Sequence, residues 1–141
     1  MERQASADGC GAAVTFVGVV RGDRHEDRRV RALYYEAYPE MAERQIDRAI
    51  AEAHARWSLN GVQLQHRLGL VEVGQISVVI VVAAQHRALA YAASRFLIEE
   101  IKREVPIWKR EYYDDGTSRR AACAQEVLDV ADPLGANHAH V

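Results

Sequence analysis

Apolar residues follow two different rhythms along this chain, and the switches between them predict an order of strands and helices. Ala12 to Val20 is a β-branched apolar run closed by Arg21, and it predicts a buried strand. Gly22 to Arg29 (GDRHEDRR) contains no apolar residue and predicts an exposed loop. Val30 to Ala37 predicts a second strand, with Leu33 and Tyr35 on one face and Tyr34 and Glu36 on the other. Joined by that loop, the two strands read as a long-looped hairpin. Pro39 suits the first turn of a helix, where its missing N–H costs nothing. From there Ala42, Ile46, Ala49, Ile50, Ala53 and Trp57 recur at helical spacing, and Asn60-Gly61 closes the unit. Val62, Leu64, His66 and Leu68 alternate with Gln63, Gln65 and Arg67, the mark of a half-buried strand. Gly74 turns the chain into Gln75–Ala84, which is apolar on both faces and therefore central.

A second helix begins near His86-Arg87 and carries Leu89, Ala90, Ala93, Phe96, Leu97 and Ile101 on one stripe. It must end before Pro106. Ile107 to Tyr112 predicts a short strand, followed by a turn at Asp115-Gly116. From Thr117 onward the chain is alanine-rich, with a weak helical pattern at Val127, Leu128 and Val130. Residues 1–10 and 133–141 read as flexible. With no repeat and no linker, residues 1–141 read as one α+β domain with a mostly antiparallel sheet and two main helices.

Composition narrows the class. The chain has 141 residues, 49% hydrophobic and 27% charged, the balance of a soluble globular protein. No apolar run approaches the roughly 20 residues that span a bilayer, and no apolar signal segment follows Met1, so neither a membrane nor export is expected. Cys10 and Cys123 are the only cysteines and have no metal or redox spacing, which suits a reducing, cytoplasmic compartment. A net charge of −2 argues against a general nucleic-acid binder, so any anion site must be local. Lys and Arg together number 18, yet only Lys102 and Lys109 are lysines. Arginine stays charged, whereas a desolvated lysine amine can lose its proton and act as base or nucleophile.

Three places set cations at the ends of apolar elements. Arg21 closes the first strand. His86 and Arg87 stand at the start of the second helix, where free N–H groups and the dipole favour an anion. Lys102 falls in the last turn of that helix and Lys109 just past Pro106, on the strand face shared by Ile107, Lys109 and Glu111. A bend at Pro106 would fold Lys109 toward Lys102, and two adjacent ammonium groups depress each other's pKa. Arg21, His86 and Arg87 could complete a pocket for a phosphorylated ligand. Each has a plainer reading: Arg21 as a solvated strand end, His86-Arg87 as a helix start, Lys102 as a helix-dipole partner. His66 reads as structural, and His138 and His140 as tail residues. No metal-ligand set, nucleophile elbow or phosphate-binding glycine loop is present in the sequence.

Five ordered segments carry a family likeness: Gly11-Ala12 through Phe16-Val17-Gly18-Val19-Val20-Arg21; Tyr35-Glu36-Ala37-Tyr38-Pro39-Glu40-Met41-Ala42; His66-Arg67-Leu68-Gly69; Gln85-His86-Arg87; and Val105-Pro106-Ile107-Trp108-Lys109-Arg110-Glu111. Through them the chain resembles the large, catalytic subunit of molybdopterin synthase, over roughly Gly11 to Gly116. The resemblance implies an α/β-hammerhead fold and a homodimer. It implies a small ubiquitin-like partner at each end, making a heterotetramer. That partner ends in Gly-Gly carried as a thiocarboxylate and donates sulfur. The substrate implied is cyclic pyranopterin monophosphate, the product is the molybdopterin dithiolene, and no metal or organic cofactor is required. Catalytic roles fall on Lys102 and Lys109, and substrate binding on Val19, Val20, Arg21, His86, Arg87, Lys102, Lys109, Arg110 and Glu111, the His-Arg pair reaching a pocket largely built by the other protomer. Two departures from the family pattern stand out: only ten residues precede Gly11-Ala12, and Gly116 is followed by Thr117-Ser118-Arg119-Arg120-Ala121 rather than by an early Trp. Arg119 or Arg120 is a candidate for a further pocket cation. The alternatives are a non-catalytic paralogue that only docks the sulfur carrier, and a different phosphoanion enzyme that uses a lysine Schiff base.

Overall fold

The computed structural model describes residues 9–122, with side chains through residue 120. The tail pattern at Val127 to Val130, the C-terminal histidines, Cys123 and most of the two segments read as flexible lie outside the described residues. The elements in order are β1 (Ala12–Val19), β2 (Arg24–His25), β3 (Arg28–Glu36), α1 (Pro39–Arg56) and β4 (Leu59–His66). They continue with β5 (Gly69–Glu72), β6 (Ile76–Ala84), α2 (Arg87–Glu104), β7 (Trp108–Tyr113) and β8 (Ser118–Ala122). The fold is α+β with antiparallel strand pairs and two long helices. No helix among the described residues is long and apolar enough to cross a membrane.

Two sheets divide the strands. One has the order β1-β6-β4, with β6 in the middle, as its two apolar faces require. Helix α2 packs against β6 and β1, and α1 packs against α2 and β4. Ala90, Ala93, Leu97 and Ile101 on α2 share a core with Val78, Ile80 and Val82 on β6. Trp57 meets Phe96 edge-on at 5.5 Å where the helices approach. The second sheet has the order β2-β3-β7-β8, with β5 on the other edge of β3. Helix α1 starts with proline in its first turn, and α2 ends two residues before Pro106, both as the sequence predicts.

Four expectations are corrected. β1 and β3 do not form a hairpin: β1 pairs with β6 and β3 with β7, so chain neighbours enter different sheets. β6 is apolar on both faces and takes a partner on each edge, and β1 fills one of them. Nor is β1 wholly buried; it alternates, leaving Val17 and Val19 exposed. The polar stretch after Arg21 is not simply a loop, since Arg24–His25 folds back on Arg28–Arg29 through Glu26 at positive φ. Finally, Ser118–Ala122 is a strand and not the start of a helix: it pairs antiparallel with β7, where Arg119 faces Glu111.

Gly11 shows how closely β1 and β6 approach. Its N–H donates to the Ala84 carbonyl at 3.0 Å, and a Cβ built there would overlap the Gln85 carbonyl oxygen. That oxygen belongs to the main chain and cannot rotate aside. Gly11→Ala is therefore expected to lower unfolding stability by about 1–3 kcal/mol, the usual cost of overpacking. A urea melt with an unchanged midpoint would contradict this.

Candidate active site

The two sheets meet where β1 leaves the first and crosses to the second. A small cleft of about 20 Å³ forms there, lined by Val19, Val20, Arg21, Asp23, Val30, Leu33, Lys109 and Glu111. Five of the residues singled out in the sequence thus share one cleft: Val19, Val20, Arg21, Lys109 and Glu111. Arg21 is exposed and reaches Asp23 at 3.1 Å. Lys109 and Glu111 are buried on the inner face of β7, at 6% and 7% exposure, and Trp108 on the other face is exposed.

Lys102 is also buried at 6%, in the last turn of α2. The two lysines lie near one aromatic pair, buried Tyr35 and half-buried His66. Tyr35 on β3 lies directly across from Lys109, so both side chains stand on the same face of the sheet. The Tyr35 ring meets His66 edge-on at 4.9 Å, and the charge of Lys102 acts on that imidazole. Val78 on β6 pairs with both Gly18 and His66, which places His66 at the Arg21 end of the first sheet. Lys102, Lys109 and Arg21 therefore occupy one neighbourhood, contributed by a helix and two strands.

Glu111 is the buried anionic member, Asp23 being half-exposed. Its Oε1 accepts a 2.6 Å hydrogen bond from the Tyr113 hydroxyl and lies 3.4 Å from the Arg119 guanidinium and 3.7 Å from His25 Nε2. Burial, reinforced by the bond to Glu111, raises the Tyr113 pKa above its usual value, so the phenol remains a donor. Arg119 is thus the arginine beyond Gly116 that reaches a cleft-lining group. Arg120 reaches Glu36 instead and stacks over Trp108. Tyr35, His25 and Tyr113 were not flagged in the sequence, since aromatic and neutral groups become site residues only through tertiary contact.

Three expected site residues stand apart from the cleft. Arg110 is on the outer face of β7, bonded to the Ser118 hydroxyl at 3.1 Å. His86 and Arg87 are exposed at the start of α2, where no side chain caps the helix. They follow Ala84, which pairs with Ala12, whereas Arg21 lies beyond Val19 at the other end of the same strand. Eight residues of β1 separate the two ends, about 25 Å at the usual strand rise. A single copy of this chain cannot bring His86 and Arg87 to Lys109.

Burial lowers the His66 pKa from 6.5 to about 4, opposed by its bond to the Arg67 carbonyl and assisted by Lys102. An unfolded chain binds this proton below 6.5, whereas the folded chain does not until about 4. Stability is therefore present in full above 6.5 and lost as pH falls toward 4, by up to about 3 kcal/mol at roughly 1.4 kcal/mol per pKa unit. The urea midpoint is expected to fall across this window, and to fall less in His66→Phe. Equal falls in both proteins would contradict the assignment.

Two antiparallel sheets, one of them backed by helices, with a cleft lined by buried Lys109 and strand-end Arg21 and a second buried lysine near it, define an α+β protein with a mixed-charge cleft between its sheets. Comparisons with known proteins specify it further. A family model described as MoaE protein matches residues 1–104, and this chain belongs to the MoaE family. Lys109, Arg110 and Glu111 lie beyond that matched span. The molybdopterin synthase catalytic subunit of Thermoplasma volcanium is 49% identical over 106 residues, covering 75% of this chain and 77% of that one. The protein of the same name from Oryza sativa subsp. indica is 49% identical over 106 residues, but these cover only 54% of it, so the chain spans about half the length of that relative. Among solved structures, molybdopterin synthase from Staphylococcus aureus superposes with a TM-score of 0.76 at 36% identity, covering 83% of this chain and 84% of that one. A complex of subunits 1 and 2 of the molybdopterin-converting factor from Helicobacter pylori gives 0.66 at 27%, covering 82% and 74%.

Proposed function

We propose that this chain is the catalytic subunit of a molybdopterin synthase. It would move sulfur from the C-terminal thiocarboxylate of a small ubiquitin-like partner onto cyclic pyranopterin monophosphate, forming the dithiolene. The observation that carries this reading is the pair of buried lysines beside a cleft edged by Arg21 in a member of this family. In each transfer the donor C–S bond and a pterin C–O bond break and a pterin C–S bond forms; the oxygen lost from the pterin is matched, as water, by the one that completes the donor carboxylate. Arg21 would hold the phosphate, since a guanidinium fork fits phosphate oxygens. Lys102 would act at the reacting centre as acid/base or as the cation that stabilises the acyl intermediate. Lys109 would orient the substrate. No metal or organic cofactor is needed, because the partner brings the sulfur.

His86 and Arg87 take part in this reading through a homodimer. Their distance from Lys109 within one chain supports their service in the cleft of a second protomer, and the Helicobacter pylori complex of two subunits supports a small partner. The expected assembly is a heterotetramer working in the cytoplasm. Reconstitution with a thiocarboxylated Gly-Gly partner and the pterin precursor tests the activity. Dithiolene formation is the expected result. Partner binding without product would instead leave a docking module.

A further inference from the structure

His66 ends β4 at the Arg21 end of the first sheet, and the roles proposed above do not use it. Its Nδ1 lies 2.7 Å from the Arg67 carbonyl oxygen, which can only accept, so Nδ1 carries the hydrogen and Nε2 the lone pair. The ring is half-buried and stacks edge-on against Tyr35. Tyr35 is 1% exposed and stands across from Lys109 on β7 and from Gly69 on β5. The facing groups are then Tyr35 from β3, Lys102 from α2 and apolar Val78 from β6; the charge acting on the ring is that of Lys102.

We propose that His66 is a positioning residue of the lysine cleft: an imidazole, tied by Nδ1–H to the Arg67 carbonyl, that buttresses Tyr35 behind Lys109. The inference rests on the catalytic reading given above. Its physical content is reciprocity. The Lys102 ammonium opposes a proton on His66, so a protonated His66 would equally oppose the Lys102 charge. Burial suppresses that exchange near neutral pH, because it lowers the His66 pKa to about 4. The cleft then keeps one charge pattern across the working range, and the Tyr35 wall keeps one position.

Imidazole NMR of the whole chain tests the arrangement without any turnover. The wild-type His66 ring is expected as the Nδ1–H tautomer, neutral through the physiological range. In Lys102→Met its titration midpoint rises, while burial still holds it below the ordinary histidine value. An Nε2–H tautomer, or a midpoint unmoved by Lys102→Met, would overturn the proposal. Turnover supplies the second arm. His66→Phe keeps a ring against Tyr35 but loses both nitrogens; kcat is expected to fall about tenfold, with KM for the pterin within about twofold. His66→Gln restores a neutral amide and should recover most of that loss. Wild-type kcat in His66→Phe, or no recovery in His66→Gln, would also overturn it. A wild-type protein that makes no dithiolene counts against the catalytic reading alone, because the NMR arm does not depend on product.

Discussion

Lys102→Met is expected to abolish dithiolene formation, lowering turnover by at least about a hundredfold, the low end of what a positioned acid/base supplies. Methionine matches the unbranched stem of lysine and suits a buried site, so the last turn of α2 should stay packed. Lys102 is 6% exposed, and its charge acts on His66, so the amine works in a desolvated setting where charge counts for more than in water. Lys102→Arg sharpens the test. It keeps a cation but does not release a proton, and so it should stay inactive if the amine transfers protons. Recovery in the arginine variant would reduce the role to charge stabilisation. The thermal midpoint and the affinity for the small partner are the controls, both expected close to wild type. Wild-type turnover in Lys102→Met would remove this residue from the mechanism.

Mixing two inactive proteins is expected to restore activity. Arg87→Ala and Lys102→Met each disable both centres of a symmetric dimer when homogeneous. In a mixed dimer, one centre combines the two intact residues and the other combines the two defects. Random re-association makes half the dimers mixed, each with one working centre, so the mixture should reach about a quarter of wild-type turnover. The basis is geometric: α2 starts at the Ala12 end of β1, whereas Arg21 and the cleft are at the Val19 end. A mixture as inactive as its components would show that His86 and Arg87 do not complete the cleft of a second copy.

Much of this site was legible because its members are rare or oddly placed. Lys102 and Lys109 stood out in a chain that otherwise uses arginine, and the alternation along β7 put Lys109 with Glu111 on one face, where both are buried. Strand and helix positions followed from apolar period, and β6 declared itself central by being apolar on both faces. Pairing was harder to read. β1 and β3 are adjacent in sequence, and nothing in either states that β6 and β7 are their partners. β5 is four residues long and β8 reads Ser-Arg-Arg-Ala-Ala, so neither carries an apolar rhythm. β8 carries Arg119 across from Glu111 on β7, an interaction between distant residues that local pattern does not encode. The same limit hid Tyr35, His25 and Tyr113, whose importance lies in what they touch. Arg110 was grouped with Lys109 through the family motif, although strand alternation sets it on the opposite face.

The most direct test of the central claim follows sulfur from donor to acceptor in a single turnover of the wild-type complex. Intact mass reports the C-terminus of the small partner, and fluorescence of the oxidised pterin reports the dithiolene. Two donor thiocarboxylates should become carboxylates for each dithiolene formed, and only when this chain and the pterin are both present. Thiocarboxylate that persists, or that is hydrolysed without any pterin gaining sulfur, would contradict the account.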